Sequence, residues 1–487
     1  MLSSAQPDVG RGRHTTATLV AVSLVLFCVQ VDFFALNLAL PNLARGFGAD
    51  ADSAQWTISA YMLSVGSLLI LAGRMGDIFG RRRALLAGVG LFAAASLACA
   101  IAPSLGFLVA ARVFQGAGAA VIFPVGVAVI SNAFSDASRA RALGLAFGIA
   151  NIGTAAGPFI GGGLAGGPGW RWVFWVLVLL CALAFLAAYF AVADSREAGA
   201  QRHLDWPGAA LVIAGVTLLS VTVDRADGWG WGSARTLAGF ALSVLLLVAF
   251  LIVERRVQAP LVDLKLFRNL PYVLVTGMGA VANIVYVVTV WVVTLYLQQV
   301  RGLAPLTAGA VFLAPSLMVA LSGPLGGWLG KHFRPTAVMA AAGVVSGVGL
   351  FALTLAHGWG AYVAWFAFTG IGFGLGWTFA SVGTQDVVSP ERAGEASGVL
   401  LTILVTAGGM GVAITAAVLE LLERSGSSSH EAINGTLRVL ALSIVVAAAA
   451  VMAIRHRLVR RGLMAPLSMK AQWTPPEAPE APAQSVR

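Results

Sequence analysis

The sequence predicts an all-α polytopic membrane protein, and three observations predict it. Of its 487 residues, 58% are hydrophobic and only 11% are charged, whereas soluble domains carry roughly 25% charged residues. Apolar runs of about 20 residues, the length of one helical crossing, recur along the whole chain. A membrane β-barrel would instead show alternating segments of about ten residues. A water-soluble domain is therefore excluded.

Fourteen apolar runs are counted along the chain, and each predicts one membrane-spanning helix. They lie near 18–40, 54–73, 84–102, 107–130, 142–165, 170–192, 206–223, 235–254, 272–297, 306–329, 336–356, 361–385, 397–420 and 437–454. An even number of crossings places both termini on the same side of the membrane. We expect a multi-pass protein of the inner (cytoplasmic) membrane.

Basic residues cluster on the side predicted to hold both termini. The clusters are "GRRRA" after span two, "ERR" after span eight and "RHRLVRR" after span fourteen. Loops rich in Lys and Arg stay in the cytoplasm, so both termini are predicted to be cytoplasmic. The net charge of +10 then serves membrane topology, and no nucleic-acid partner is expected.

An internal repeat relates the two ends of the chain by a shift of 254 residues. The shift maps Asp32 onto Tyr286 and Arg112 onto Phe366, so the two deep charges occur only in the first half. It also superposes glycines, namely Gly116 on Gly370, Gly118 on Gly372, Gly144 on Gly398 and Gly157 on Gly411. The duplicated scaffold therefore does not require the two charges.

The repeat leaves two spans, near 206–223 and 235–254, without a counterpart, which predicts a domain plan of six, two and six helices. The predicted segments are a cytoplasmic tail (1–17), a six-helix bundle (18–192), an inserted helix pair with its flanking loops (193–271), a second six-helix bundle (272–454) and a Pro-rich, disordered cytoplasmic tail (455–487).

Five stretches carry a resemblance to a known family. They are "DFFALNLALP" (32–41), "GRMGDIFGRRR" (73–83), "RVFQGAGAA" (112–120), "GTAAGPFIGG" (153–162) and "YLQQVRGLAPLTAG" (296–309). Their order and spacing together resemble the major facilitator superfamily, specifically its fourteen-span drug:proton antiporters. The resemblance implies two six-helix bundles plus an inserted helix pair, and transport by alternating access.

Asp32 and Arg112 are the predicted proton-coupling residues. A charge at bilayer depth costs at least about 3 kcal/mol and is usually paired or faces an aqueous cavity. Arg112 is the only basic residue within a predicted span core, so we expect it to couple to Asp32 directly or through water. The alternative is a static ion pair that only fixes two helices together.

The loop between spans two and three is the predicted cytoplasmic gate, formed by Gly73, Asp77, Gly80, Arg81 and Arg82. Asp77 is expected to accept hydrogen bonds from the N-terminus of a neighbouring helix, where the dipole favours an anion. Arg81 is expected to bridge to a carboxylate such as Asp136. The alternative is that the arginines only anchor the loop in the cytoplasm, and this applies most to Arg83.

Span five carries the predicted antiporter helix motif, with the residues Gly153, Gly157, Pro158, Gly161 and Gly162. Glycines four residues apart leave one helix face bare, which permits close approach of a neighbouring helix. Proline removes a backbone donor and can kink the helix. The motif therefore predicts either a packing face or a bending point.

Polar and aromatic residues deep in the spans are candidates for the substrate cavity: Asn37, Gln115, Asn151, Asn283, Tyr286, Trp291 and Trp377. Aromatic faces suit hydrophobic or cationic compounds, although each residue could equally serve packing or an interhelical hydrogen bond. The histidines are scattered and no phosphate-binding GxxxxGK[ST] motif occurs, so neither a metal nor an organic cofactor is expected.

These features predict a secondary active transporter that exports small hydrophobic or cationic compounds in exchange for protons. The proton gradient supplies the energy, the lipid bilayer and the small-molecule substrate are the partners, and the protein is expected to act as a monomer. The alternative is a dedicated exporter of one endogenous metabolite or antibiotic. An enzyme would need a reactive pair such as Ser–His inside the spans, so no enzymatic activity is expected.

Overall fold

The computed structural model describes residues 9–195, 204–257, 260–388 and 393–460, except for some side chains within these ranges. These residues form fourteen long helices: α1 (Val9–Phe47), α2 (Ala51–Phe79), α3 (Arg81–Ala100), α4 (Leu105–Ala133), α5 (Asp136–Gly166), α6 (Arg171–Ala191), α7 (Trp206–Trp229), α8 (Ala234–Glu254), α9 (Leu270–Leu295), α10 (Pro305–His332), α11 (Pro335–Leu353), α12 (Trp359–Val387), α13 (Ala393–Arg424) and α14 (Ser429–Arg460). A short 3₁₀ helix (Leu264–Arg268) precedes α9, and a π-helical turn (Tyr296–Val300) follows it.

The fourteen predicted spans correspond one to one to the fourteen helices, which confirms the predicted fold class. Thirteen of these helices are long and apolar enough to cross a membrane, and α5, with 31 residues, matches its neighbours in length. These apolar segments are helical because backbone N–H and C=O groups find no water in the bilayer and must form hydrogen bonds within their own segment.

The two outer helices are longer than the apolar runs indicated. Helix α1 begins at Val9, within the predicted N-terminal tail, and α14 continues to Arg460, within the predicted C-terminal tail. Helical hydrogen bonding does not stop where the hydrocarbon ends, and Arg457 and Arg460 in the last turn of α14 favourably oppose its dipole. The rest of the predicted tail, 461–487, lies outside the described residues.

The helices pack as two bundles with equivalent neighbours. In the first bundle α1 packs on α5 and α6, α2 packs on α4, and α3 packs on α4 and α6. In the second bundle α9 packs on α13 and α14, α10 packs on α12, and α11 packs on α12 and α14. A shift of eight helices converts the first set of contacts into the second, so the fold contains the duplication that the sequence predicts.

Matching glycines make matching contacts in the two bundles. A Cβ added to Gly116 would lie 2.5 Å from the carbonyl oxygen of Tyr61, and one added to Gly370 would lie against the carbonyl oxygen of Pro315. Tyr61 and Pro315 are themselves 254 residues apart. The shift therefore relates both partners of this helix crossing, which a chance coincidence of glycines would not do.

The two bundles meet along two main pairs of helices, α2 with α13 and α5 with α10, and smaller contacts join α4 to α13 and α5 to α12. An added Cβ on Gly144 would lie 2.5 Å from the carbonyl oxygen of Gly323, and one on Gly398 would lie 2.7 Å from that of Leu69. Both crossings lie near the end of the molecule that holds the start of α1 and the end of α14, called here the termini face. The bundles are closed on each other at that face by backbone contact.

The inserted pair, α7 and α8, forms a hairpin outside the two bundles. Helix α7 packs on both α2 and α13. It therefore lies beside the place where α2 and α13 join the two bundles. The segment 255–269, called here the linker, leads from α8 back to α9 and includes the 3₁₀ helix. The insertion is thus connected to the closed termini face.

We expect Gly144→Ala to destabilise the protein, because its Cβ would meet the backbone of Gly323. Overpacking of this kind costs about 1–3 kcal/mol. The matched control is Gly163→Ala in the same helix, where an added Cβ meets no atom within 4 Å and the higher helix propensity of Ala favours the fold by up to about 1 kcal/mol. Thermal unfolding in one detergent compares them, and equal midpoints would contradict the close crossing.

Candidate functional site

Asp32 and Arg112 form a direct ion pair inside the first bundle. Nη1 of Arg112 in α4 lies 2.8 Å from Oδ1 and 2.7 Å from Oδ2 of Asp32 in α1. Each residue is only 1% exposed. The sequence left open whether the two charges interact directly or through water, and the structure brings them into direct contact.

Hydrogen bonds with Thr57 and Gln115 enclose the ion pair, and Gln115 is itself hydrogen-bonded to Ser96. Nε of Arg112 donates to the carbonyl oxygen of Thr57, at 2.8 Å, and Nη1 also donates to Oε1 of Gln115, at 2.7 Å. Nε2 of Gln115 donates to Oδ1 of Asp32, at 3.1 Å, and to Oγ of Ser96, at 2.9 Å. Helices α1, α2, α3 and α4 therefore all contribute to one buried polar network.

The ring of Tyr61 in α2 forms the remaining wall beside the guanidinium group. Its centroid lies 4.1 Å from Cζ of Arg112, a distance at which the ring face attracts a cation. Its hydroxyl oxygen is buried and has no hydrogen-bond partner among the described residues. Tyr61, Thr57 and Ser96 were not among the predicted site residues, although their polarity within predicted spans was an available signal.

The network can accommodate two protonation states of Asp32. With Asp32 ionised, both buried charges are compensated, which a buried ion pair requires because desolvation costs several kcal/mol per ion. With Asp32 protonated, Arg112 still has the Thr57 carbonyl oxygen, the Gln115 amide oxygen and the Tyr61 ring. A proton can therefore be taken up without leaving Arg112 wholly uncompensated.

Asp77 connects the two bundles at the termini face. Its Oδ2 accepts a hydrogen bond of 3.1 Å from the backbone N–H of Glu395, in the first turn of α13. Its Oδ1 accepts from Nη2 and Nε of Arg81, at 2.9 and 3.2 Å. Asp77 is fully buried. This is the predicted contact between Asp77 and a helix N-terminus, and Arg81 pairs with Asp77; the side chain of Asp136 lies outside the described residues.

The other three members of the loop each have a different structural role. Arg82 donates from Nη2 to the carbonyl oxygen of Tyr189, at 2.7 Å. Gly80 adopts a φ of 101°, which allows the chain to turn directly from α2 into α3. Gly73 lies against the backbone of Gly394 in the second bundle.

Arg83 is the exposed arginine of the loop. Its side chain is 74% exposed and lies 3.9 Å from Asp194, a geometry of little energetic value. The three consecutive arginines therefore occupy three different environments, and only Arg81 is buried with Asp77.

The glycine motif of α5 lies against α1 beside Asp32. Added Cβ atoms on Gly153 and Gly157 would lie 2.7 and 3.0 Å from the carbonyl oxygens of Phe27 and Val31, and one on Gly161 would overlap that of Ala35. The helix is continuous through these positions, so the structure shows the packing face. The contacts of two further motif members, Pro158 and Gly162, are outside the described part of the structure.

Two of the candidate cavity residues, Gln115 and Asn283, make hydrogen bonds between helices. Gln115 belongs to the ion-pair network, and Nδ2 of Asn283 donates to the carbonyl oxygen of Leu404, at 2.7 Å, joining α9 to α13. The three aromatic candidates are half-buried, and Asn151 is buried. The aromatic candidates are Tyr286, whose ring lies 5.3 Å from that of Phe373, Trp291 and Trp377. The side chain of Asn37 lies outside the described residues.

Two equivalent six-helix bundles with an inserted helix pair, and a buried ion pair within one bundle, are the arrangement of a membrane transport protein. The family model of the Major Facilitator Superfamily matches residues 22–413. The chain belongs to this superfamily.

Similar proteins include exporters of antibiotics. The chain is 33% identical to the multidrug resistance protein Stp of Mycobacterium tuberculosis, over 84% of this chain and 76% of that protein. It is 33% identical to the cephamycin export protein CmcT of Amycolatopsis lactamdurans, over 86% and 88% of the two chains. It is 29% identical to the tetracenomycin C resistance and export protein of Streptomyces glaucescens, over 84% and 76%.

A solved structure shares the fold. The human organic anion transporter MFSD10 (TETRAN) superposes with a TM-score of 0.65, covering 91% of this chain and all of that one, at 16% sequence identity. At this identity the likeness concerns the fold alone.

We expect Tyr61→Leu to destabilise the protein and Tyr61→Phe to leave it nearly unchanged. Leucine removes the cation–π contact with Arg112, worth about 0.5–2 kcal/mol, whereas phenylalanine keeps the ring and removes a hydroxyl that has no partner. Thermal unfolding of the two purified variants checks this. Equal destabilisation by both would show that the hydroxyl matters and the ring contact does not.

We expect Asp77→Asn to weaken closure at the termini face, because it removes the charge that faces the start of α13 and pairs with Arg81. Charge–dipole contacts of this kind contribute about 0.3–2 kcal/mol. Spin labels on cysteines at the exposed positions Phe79 and Arg457 report the separation of the bundles, which should shift to longer distances.

The matched control for this measurement is Asp194→Asn, which removes an equally charged but partly exposed partner of Arg83. It should leave the distance distribution unchanged. If both variants behave like the wild type, the contact between Asp77 and α13 does not hold the bundles together.

Proposed function

We propose that this protein is a proton-coupled exporter of small hydrophobic or cationic compounds. The observation that carries the proposal is the buried Asp32–Arg112 pair, whose equivalent positions in the second bundle are occupied by the uncharged residues Tyr286 and Phe366. Asp32 gains a proton in one state and loses it in another, and the pairing of Arg112 changes accordingly. The export of antibiotics by relatives, as their names state, supports the direction of transport.

The proposed cycle uses the closure at the termini face. With both termini in the cytoplasm, the closed contacts of Asp77 with α13 and of Gly144 with Gly323 belong to a state shut toward the cytoplasm. A proton from outside neutralises Asp32 and favours release of the compound. Opening of the cytoplasmic side then lets the proton leave and a new substrate enter.

The proton gradient supplies enough energy for this cycle. A membrane potential contributes about 2.3 kcal/mol per charge per 100 mV, so one proton provides useful drive without any cofactor. The half-buried rings of Tyr286, Trp291 and Trp377 offer faces for apolar or cationic cargo. One chain contains both bundles and the site, so the proposed working unit is the monomer.

A second candidate is a dedicated exporter of one self-made compound. The names of the cephamycin and tetracenomycin C exporters each specify a single antibiotic, which favours this possibility. The two candidates share the coupling site and differ only in the breadth of compounds that the cavity accepts.

We expect Asp32→Asn to abolish proton-driven export and to leave folding intact, because the asparagine oxygen still accepts a hydrogen bond from Arg112. Growth inhibition by a panel of drugs in a host without its own pumps compares this variant with the wild type. The control is Arg83→Gln, at an exposed position, which should protect as the wild type does.

Proton release driven by drug binding to the purified protein provides the direct measurement. Normal proton release from Asp32→Asn would overturn the proposed role of Asp32. Protection by the wild type against many unrelated drugs favours multidrug export, and protection against one compound favours the dedicated exporter.

A further inference from the structure

Two buried carboxylates lie at the base of the inserted helix pair, far from Asp32 in the sequence. Asp205 immediately precedes α7 and is 5% exposed, and Glu254 is the last residue of α8 and is 4% exposed. Among the described residues, no Lys, Arg or His forms an ion pair with either of them. Their burial without a cation requires another form of compensation.

Backbone N–H groups satisfy three of the four carboxylate oxygens. Glu254 accepts from Leu261 N at Oε1 and from Val262 N at Oε2, each at 3.2 Å, and Oδ1 of Asp205 accepts from Gly208 N at 3.0 Å. The fourth oxygen, Oδ2 of Asp205, is buried and has no hydrogen-bond partner among the described residues. A buried, unpartnered acceptor costs about 1–3 kcal/mol.

The unpartnered oxygen points into the space that Glu254 also occupies. A Cβ added to Gly208 would lie against Oδ2 of Asp205 and 2.9 Å from Oε1 of Glu254. Two ionised carboxylates sharing such a buried space repel each other, and one of them is stabilised in the protonated form. A proton on Oδ2 of Asp205 converts the unpartnered acceptor into a donor in the space that Oε1 of Glu254 also borders.

We propose that Asp205 and Glu254 form a second proton-binding site, in which one proton is shared between Oδ2 of Asp205 and Oε1 of Glu254. A metal ion does not suit this site, since hard cations take six or more oxygen ligands and only one carboxylate oxygen is free of a backbone hydrogen bond. The ligand is therefore a proton.

Both acidic and basic groups flank Asp205 and Glu254, the acidic one on the second bundle and the basic ones next to the pair in the sequence. Glu395 of α13 is the further carboxylate that acts on Glu254. Arg255 and Arg256 follow Glu254 and are exposed, and Arg202 and His203 precede Asp205 outside the described residues. Glu254 is therefore influenced by two other carboxylates.

The pair is connected to the gate through the linker. Glu254 holds the backbone of Leu261 and Val262, and the next backbone N–H, of Asp263, donates to Oε1 of Glu395. Glu395 in turn donates its backbone N–H to Asp77. Release of the linker would expose the pair to water, where both acids ionise, so the docked linker holds the proton more tightly. Lower pH at this face therefore favours the docked linker and the closed gate.

Infrared spectroscopy of the purified full-length protein tests the proton directly and does not depend on transport. In the Asp32→Asn background, we expect a carboxylic-acid C=O band that persists at neutral pH. Adding Asp205→Asn, or Glu254→Gln as an independent second variant, should remove it. Absence of the band at neutral pH, or its retention in both variants, would overturn the site while leaving the role of Asp32 untouched.

Hydrogen exchange of the linker tests the consequence. In the wild type, exchange at Leu261, Val262 and Asp263 should rise with pH more steeply than the intrinsic chemistry does. In Asp205→Asn, the amide N–H₂ donates permanently toward Glu254, so the extra pH dependence should disappear, whereas the control Asp194→Asn should behave as the wild type. The same pH dependence in Asp205→Asn as in the wild type would contradict the shared proton.

Discussion

The burial of Asp32 against Arg112 is the interaction on which the rest of the first bundle depends. Both charges lie in a segment surrounded by hydrocarbon, where a buried charge has to be compensated. Their compensation needs the Thr57 carbonyl oxygen on α2, Ser96 on α3 and Gln115 on α4. Four helices must therefore keep a fixed relative rotation, and a change in the charge of Asp32 acts on all four of them at once.

Close helix approach makes this arrangement possible, and the same device closes the molecule. On α5, glycines at four-residue spacing let the helix lie on the backbone of α1 next to Asp32. At the termini face, Gly144 and Gly398 bring the bundles together by backbone contact, and Asp77 adds one buried charge at the start of α13. Small residues at these positions let the helix backbones approach each other closely.

The inserted helix pair is more than an addition at the edge of the fold. Its linker lies across the first turn of α13, where Glu395 binds the linker through its side chain and Asp77 through its backbone. The linker of the inserted helix pair and the contact between Asp77 and α13 therefore share one residue, Glu395. In the proposed cycle, a segment held at that point is well placed to influence the opening of the termini face.

The sequence by itself determined the fourteen helices, the duplication and the partnership of Asp32 with Arg112. A bilayer admits only helices and closed barrels, and continuous apolar runs of about 20 residues select the helix, while two deep charges in one half have no better partner than each other. Matching glycines at a constant shift also indicated which crossings would repeat. These conclusions follow from composition, order and the cost of burying charge.

Only the tertiary structure decided which neighbours complete each site. The sequence did not single out Tyr61, Thr57 or Ser96 for the ion-pair network, and it did not indicate that Arg81 pairs with Asp77. It also gave no indication that Asp205 lies near Glu254. The two residues are far apart in the sequence, and their proximity depends on how α7 packs against α8. Apolar periodicity determines that a segment is a helix, whereas the rotation of that helix and the identity of its neighbours depend on side-chain packing across the whole molecule.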